Sequence, residues 1–322
     1  MNWMIRATAA LLLTLTAGLS VAQNQGFPNR PIRLVVPFAP GGGTDIIARI
    51  IAEKFQAKWG QPALVDNRAG AGGNVGAESV YRAAPDGYTL LLSPPPPLVI
   101  NESLYSKLSF KPEEFTPVSL ISVSPNILVI HPDLPVNSVK ELIEYAKKNP
   151  DKLNYATQGN GTTSHLTSEM FAAQAGIRLT HVPYKGSGPA LGDLMGGQVN
   201  MMFAEVSSAI NLVRTGKLRV LAVAGSRRSP ALPDTPALSD TLPGFVSTSS
   251  SSLVAPPGTP ADIANMLSAA VAEAMKDPAI VSRLSQLSAE PVGSTPEQHA
   301  QFLRDERKRW GTVIRNVGIQ LN

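Results

Sequence analysis

Side chains able to carry acid–base, nucleophilic or metal chemistry form no recognisable catalytic or metal-ligating motif in this 322-residue chain. The four histidines, His131, His165, His181 and His299, fall far apart, and none takes part in a metal-ligating spacing such as H-E-x-x-H. Cysteine is absent, which removes disulfides, thiolate nucleophiles and thiolate metal sites at once. No Gly-x-Ser-x-Gly elbow occurs, so no serine shows the strand-to-helix placement of a hydrolase nucleophile. The residues left point to holding a ligand: Lys185 between Tyr184 and Gly186, Glu205 at the end of the apolar run VNMMFA, and glycine-rich loops that each open a helix. For Lys185 an exposed turn is an equally ordinary role. For Glu205 a helix cap competes with contact to a cationic or hydroxyl group, and for His165 a structural role competes with a ligand contact. His131 and His299 read as structural or exposed.

The most informative loop is LVVPFAPGGGTDIIARI, Leu34 to Ile50. A Walker-type loop ends in Gly-Lys-Ser/Thr, but Gly43 is followed by Thr44 and Asp45. A dinucleotide fingerprint starting at Gly41 needs glycine where Ile46 stands, and one starting at Gly70 needs it where Val75 stands. Asp45 would also aim a carboxylate at the phosphates, which is repulsive. What survives is a helix N-terminus, whose free N–H groups and positive dipole end suit a small carboxylate, with glycines that let it approach the main chain. The same arrangement recurs in DNRAGAGGNVG, TQGNGTTSH and PYKGSGPA, each after a strand. Several amide nests then face one crevice outside the carboxyl ends of the strands.

These loops need strands and helices to aim them. IRLVV (Ile32 to Val36) is an unbroken β-branched run, as in a sheet covered on both faces. TDIIARIIAEKFQAKWG has helical spacing and a stop at Gly60. ALVDN, GGNVGAESVYRA and YTLLLS repeat the alternation, which predicts a parallel sheet with helices on both faces. A second series runs from NILVIHP to LRVLAVAG, with helices capped by Ser138 and closed by Gly176. Proline and serine then prevent regular helix between Ser226 and Gly258, and a strand returns at Ser252 to Ala255. Helices over Ala261 to Lys276, from Pro278, and over Pro296 to Asn316 are expected to cover the first domain, because their apolar faces need burial.

Length and composition fit this plan. The chain has room for two cores. It is 43% hydrophobic and 16% charged, a packed globular balance, and a net charge of +4 spread over scattered residues gives no nucleic-acid surface. The N-terminus, with Arg6, an apolar run from Ala7 to Leu19 and small residues Ser20 and Ala22, reads as a secretory signal over residues 1–22, cut before Gln23.

Taken together, FPNRPIRLVVPFAPGGGTDIIARI, VDNRAGAGGNVGAE, PDGYTLLL, NYATQGNGTTSHL, HVPYKGSGPAL and GKLRVLAV resemble the Bug family, the periplasmic solute receptors of tripartite tricarboxylate transporters. The resemblance covers the mature chain in order. It implies an α/β type II periplasmic-binding-protein fold, two domains joined by two crossovers, with residues 23–125 and 250–322 in one and 126–249 in the other. It also implies a small carboxylate held in the cleft through amides and bridging waters. Carried over by position, the ligand-binding residues are Phe38, Gly42, Gly43, Thr44, Asp45, Asn67, Gly73, Asn74, Ser93, Pro94, Gly161, Thr162, Thr163, His165, Tyr184, Lys185, Gly186, Ala204 and Glu205. The run PPPPLVIN, Pro94 to Asn101, departs from the family; it is expected to hold the chain extended as a stiff, apolar wall poor in donors.

The expectation is therefore a monomeric periplasmic receptor, not an enzyme, without cofactor or metal. It captures a small carboxylate, such as a dicarboxylate, a tricarboxylate or an aromatic acid, and passes it to membrane permease subunits. One carboxylate is expected at the Gly41 to Asp45 loop, with Thr162, Thr163, His165 and Tyr184 at the other end and Asp45 ordering the loop or a bridging water. A sensor subunit signalling to a membrane kinase stays open, and a secreted hydrolase on the same fold is the rival from another class.

Overall fold

The computed structural model describes residues 26–225 and 228–320; the expected signal segment lies outside the described residues. Strand β1 (Ile32–Val36) leads into helix α1 (Gly43–Trp59), β2 (Ala63–Asn67), α2 (Asn74–Tyr81) and β3 (Thr89–Ser93). A short helix α3 (Asn101–Leu104) precedes the long strand β4 (Thr116–Ile130). Next come α4 (Val139–Lys148), β5 (Asn154–Thr157), α5 (Thr163–Ala175), β6 (Thr180–Pro183), α6 (Ser187–Met195), β7 (Met201–Glu205), α7 (Val206–Arg214) and β8 (Arg219–Val223). The chain ends with β9 (Thr248–Ala255), α8 (Ala261–Ala274), α9 (Pro278–Gln286), β10 (Glu290–Pro291) and α10 (Pro296–Val317).

The strands form one curled sheet in the order β2-β1-β3-β9-β4-β7-β5-β6, with β8 and β10 also paired to β4. Strands β1, β2 and β3 are parallel, as are β5, β6 and β7. Both β4 and β9 run antiparallel to their neighbours, so the sheet is mixed rather than wholly parallel. Strand β4 spans both halves: Thr116 to Pro125 pairs with β9, and Asn126 to Ile130 pairs with β7. Two register shifts between Pro117 and Ser122 bend the β4–β9 ladder.

Each half of the sheet has its own core, made by the two-residue period of its strands. In the first lobe, Leu34 and Val36 pack with Ile50, Leu90 and Val271 on one face, while Val35 packs with Leu91, Val254 and Trp310 on the other. In the second lobe, Leu128, Ile130 and Phe203 face one cluster and Ile127, Val129 and Met202 the opposite one. Helices α8 and α10 cover the first lobe as their apolar faces require. Leu166 of α5 reaches across and sits in the cluster of Leu91 and Trp310.

Local chemistry sets the helix ends. Ser138 caps α4 by accepting from the Glu141 N–H at 3.1 Å, and Gly60 and Gly176 end α1 and α5 in the left-handed conformation. The proline run corrects the expectation of an extended wall. Pro95 is already helical (φ −54°, ψ −35°), and Pro96 to Ile100 form one wide helical turn leading into α3. A helix start has no use for the N–H that proline lacks, and proline's fixed φ suits it. The segment is still fully buried and apolar from Pro94 to Ile100.

Candidate functional site

The carboxyl ends of the parallel strands in the two lobes point at one another, and the loops after them form a cleft. From the first lobe come Phe38 to Gly43 after β1 and Gly70 to Gly73 after β2. From the second come Gln158 to Asn160 after β5, Pro183 to Lys185 after β6 and Glu205 at the end of β7. The lobes touch here: the Ala39 N–H donates to the Lys185 carbonyl at 3.2 Å. Gly72 (φ 62°) brings its backbone so near the second lobe that an added Cβ would lie 2.9 Å from the Asn160 carbonyl oxygen.

The cleft narrows in steps. A chamber of about 230 Å³ is lined by Phe38, the Gly70 to Gly73 loop, Tyr105, Gln158 to Asn160, Pro183, Tyr184 and Lys185. Phe38 and Gln158 also line a recess of about 10 Å³ with Gly42 to Asp45, Pro94, Ser187 and Glu205. Gly43 and Glu205 continue into a second recess of about 10 Å³, floored by Ser122, Ser124 and Ser249 to Ser251 of the crossover strands β4 and β9. Each recess has about the room of one water. A larger cavity of about 470 Å³ lies between Val123 to Pro125, Arg228 to Pro230, Thr248 and Ser288 to Pro291; it shares Ser124 and Ala289 with the second recess and is lined by none of the glycine loops that open the helices.

Helix α1 begins at the inner recess. Its N-cap is Gly42, which makes no side-chain cap, so the first-turn N–H groups of Gly43, Thr44 and Asp45 receive no acceptor from it. Helices α2, α6 and α7 also start without a side-chain cap, at Gly73, Gly186 and Glu205. Helix α5 differs: Thr162 caps it by accepting from the His165 N–H at 3.4 Å, and its hydroxyl donates to the Gly159 carbonyl at 2.8 Å.

Asp45 turns away from those amides. Its carboxylate accepts from Gly41 N–H at 3.0 Å, from Arg49 Nε and Nη2 at 3.0 Å each, and from Asn67 Nδ2 at 3.2 Å. Burial alone would raise its pKa, but these hydrogen bonds together hold it below the ordinary aspartate value. Asn67 Nδ2 also donates to the Phe38 carbonyl at 3.0 Å, tying β2 to the loop.

Glu205 is buried, and burial pushes its carboxyl above the ordinary glutamate value, with the Ser249 hydrogen bond opposing. Its side chain does not cap α7, which removes the cap reading. Instead Oε1 accepts from Ser249 Oγ at 2.7 Å, and Oε2 lies against Gly43, where an added Cβ would be 2.1 Å away.

The remaining expected residues divide by position. Gly73, Tyr184 and Lys185 line the outer chamber, and the Tyr184 hydroxyl donates to Asp193 Oδ2 at 2.7 Å, with its pKa pushed up to about 12 by burial and by Asp193. Pro94 lines the inner recess, and the Ser93 hydroxyl donates to the Pro94 carbonyl at 2.8 Å. Asn74 accepts from Asn101 Nδ2 at 2.6 Å. Gly161, Thr162, Thr163, His165, Gly186 and Ala204 stand behind these surfaces rather than among the residues lining the three spaces. His165 Nδ1 accepts from the Gly161 N–H at 3.1 Å, and its ring stacks on His181 at 4.1 Å.

Sequence reasoning placed Asn160 only within the ligand loop Gly159 to His165 and did not single out Gln158, Tyr105, Ser187 or Asn101. Gln158 faces both the chamber and the inner recess and donates to Ser187 Oγ at 2.7 Å. Its place in the TQGNGTT loop was the available signal. Asn101 holds the Gly72 carbonyl at 3.1 Å from a buried position on α3, which only the helical turn at the prolines explains.

The family model described as the tripartite tricarboxylate transporter family receptor matches residues 47–319. The chain belongs to this family. It is 38% identical over 310 residues to BugT of Bordetella pertussis, covering 95% of each chain. It superposes on R. palustris Rpa4515 with adipate at TM-score 0.89 and 36% identity, covering 91% of this chain and 99% of that one. MatC from Rhodopseudomonas palustris with bound malate gives 0.84 and 36%, covering 89% and 100%. The architecture is that of the periplasmic-binding-protein structures it matches. No helix among the described residues is long and apolar enough to cross a membrane, and no group of three or more His, Asp or Glu among them is placed to hold a metal ion.

Proposed function

We propose that this member of the receptor family works in the periplasm, where it captures a small organic carboxylate, with dicarboxylates the first candidates, and delivers it to the membrane subunits of a tripartite tricarboxylate-type transporter. The observation that carries the ligand class is the uncapped N-terminus of α1, open to the inner recess, while Asp45, one of the two carboxyl groups beside it with Glu205, is tied up by Arg49, Asn67 and Gly41. An anion at the positive end of a helix gains about 0.3–1 kcal/mol at exposed sites and more when partly buried. The relatives with adipate and malate support the same class.

In this reading the described residues up to 125 and from 250 onward form one domain and 126–249 the other, and the crossovers β4 and β9 serve as hinge. One end of the ligand meets the first turn of α1, and the other lies in the chamber between the Gly70 to Gly73 loop and Gln158 to Tyr184. Contacts to both domains at once favour the closed form. The receptor releases its ligand unchanged, so turnover of a bound carboxylate by the purified protein would overturn this part.

The test is a thermal-shift screen of the mature protein against mono-, di- and tricarboxylates, aromatic acids, and neutral and cationic solutes. A ligand at 100 times its dissociation constant should stabilise by about 2.7 kcal/mol. Stabilisation by neutral or cationic solutes with none from any carboxylate would contradict the reading.

A further inference from the structure

Glu205 is a buried acid at the meeting point of both lobes and both hinge strands. It ends β7, pairs in register with Asn126 of β4, and accepts the Ser249 hydroxyl of β9 at 2.7 Å. Its free oxygen faces Gly43 at the start of α1. The groups around it are neutral almost throughout. They are Ser207 from α7, Ser122 and Ser124 from β4, Ser249 to Ser251 from β9, and Gln158 and Ser187 from the second-lobe loops.

Among the described residues lining the two recesses no lysine, arginine or histidine occurs, and the other charged group, Asp45, is an acid already paired with Arg49 through two hydrogen bonds. An ionised Glu205 would therefore be a buried charge with one hydroxyl donor, no cation and a carboxylate ligand arriving beside it. That arrangement is strongly unfavourable. A neutral carboxylic acid resolves both problems, because its O–H can donate to a ligand oxygen while its carbonyl oxygen keeps the Ser249 bond.

We propose that Glu205 enters the closed receptor as a neutral carboxylic acid, so that capturing a carboxylate and taking up one proton are a single event. The proposal rests on the carboxylate-receptor reading above. With the lobes apart, the Gly43 side of Glu205 meets water and the acid ionises; closure returns the proton to it. The same O–H selects for acceptor ligands: a carboxylate takes the hydrogen bond, whereas an ammonium group would need the ionised form.

The test is calorimetry of the mature receptor with malate and adipate as probes, between about pH 6 and pH 8, in buffers of different ionisation enthalpy. The wild type should take up about one proton per ligand, its affinity falling roughly tenfold for each pH unit above the open-state pKa. Whatever affinity Glu205→Gln retains should show neither the proton uptake nor the pH slope. No uptake in the wild type, or equal uptake in Glu205→Gln, would overturn the proposal.

A second arm needs no ligand. An added Cβ on Gly42 lies 3.7 Å from the Ser187 Cβ, within disulfide range, and the chain has no other cysteine. Gly42→Cys with Ser187→Cys, oxidised, should lock the closed form. Its infrared spectrum at neutral pH should show a protonated carboxyl band that disappears on adding Glu205→Gln; absence of that band also overturns the proposal. If neither probe binds while the locked protein shows the band, the fault lies with the dicarboxylate reading and not with Glu205.

Discussion

Asp45 puts a negative charge where a carboxylate is expected, and its partners explain how. Arg49 one helical turn on, the Gly41 N–H and Asn67 share its two oxygens, so it fixes the loop and leaves the first-turn amides facing the recess. The i, i+4 spacing of Asp45 and Arg49 is readable from the sequence. The part of Asn67 is not, because β2 carries it in from 22 residues away.

The histidines show the same limit, since their spacing in sequence hides a stack. His165, His181 and Tyr155 lie in parallel, the Thr157 hydroxyl contacts His181 Nε2 at 2.7 Å, and the Tyr155 hydroxyl is bonded to Glu169. Burial lowers both histidines to about 4 from an ordinary 6.5, and for His181 the neighbouring His165 adds to the effect. The folded state thus binds fewer protons than the unfolded one. Their stabilisation is complete above about pH 6.5 and is lost as pH falls through 4. The melting temperature should fall over that interval, and His181→Phe, which keeps a ring in the stack, should flatten the fall; an unchanged pH profile in the variant would contradict this.

Among the elements, α1 decides most of the site. Its N-terminus sits against Glu205 and Ser207 because Gly43 has no side chain: an added Cβ would lie 2.1 Å from Glu205 Oε2 and 2.2 Å from Ser207 Oγ. Gly43 is the first helical residue and alanine is the better helix former. Gly43→Ala should leave the unliganded melting temperature nearly unchanged while weakening ligand binding at least about tenfold, the cost of roughly 1.4 kcal/mol or more in a closure that no longer fits. Unchanged affinity by calorimetry would show that α1 does not close onto Glu205.

The elements that sequence made legible are those with their own punctuation. Ser138, Gly60 and Gly176 mark helix ends that the backbone confirms. Strand β4 was harder, because Pro117, Pro125 and four serines and threonines interrupt the apolar run of its 15 residues. Only pairing with β9, β7 and β8 makes it one strand. The prolines at 94–97 misled for a related reason: proline forbids a helix interior but favours a helix start, and the residues after it decide between the two.

At the scale of the whole molecule, the alternation of strands and helices foretold two α/β halves, and the two pairs of cores on either side of β4 and β9 realise them. The antiparallel insertion of those two strands depends on contacts more than a hundred residues apart, such as Thr116 with Ala255, and no local pattern carries it. The candidate site obeys the same rule. Loops next to a glycine signal, that of Gln158 included, were visible, whereas Asn101 and Tyr105 reach the cleft only because the helical turn at the prolines carries α3 to the Gly72 loop.

The proposed function depends on a carboxylate seated at the start of α1 between the closed lobes. The most direct measurement is a crystal structure of the mature protein with the carboxylate that stabilises it most. A carboxylate oxygen should lie about 2.7–3.1 Å from N–H groups of the Gly43 to Asp45 turn, or one water away from them. A ligand seated instead in the cavity between Val123 and Pro291, or one whose charge is paired with Lys185 while the α1 turn stays unoccupied, would contradict it.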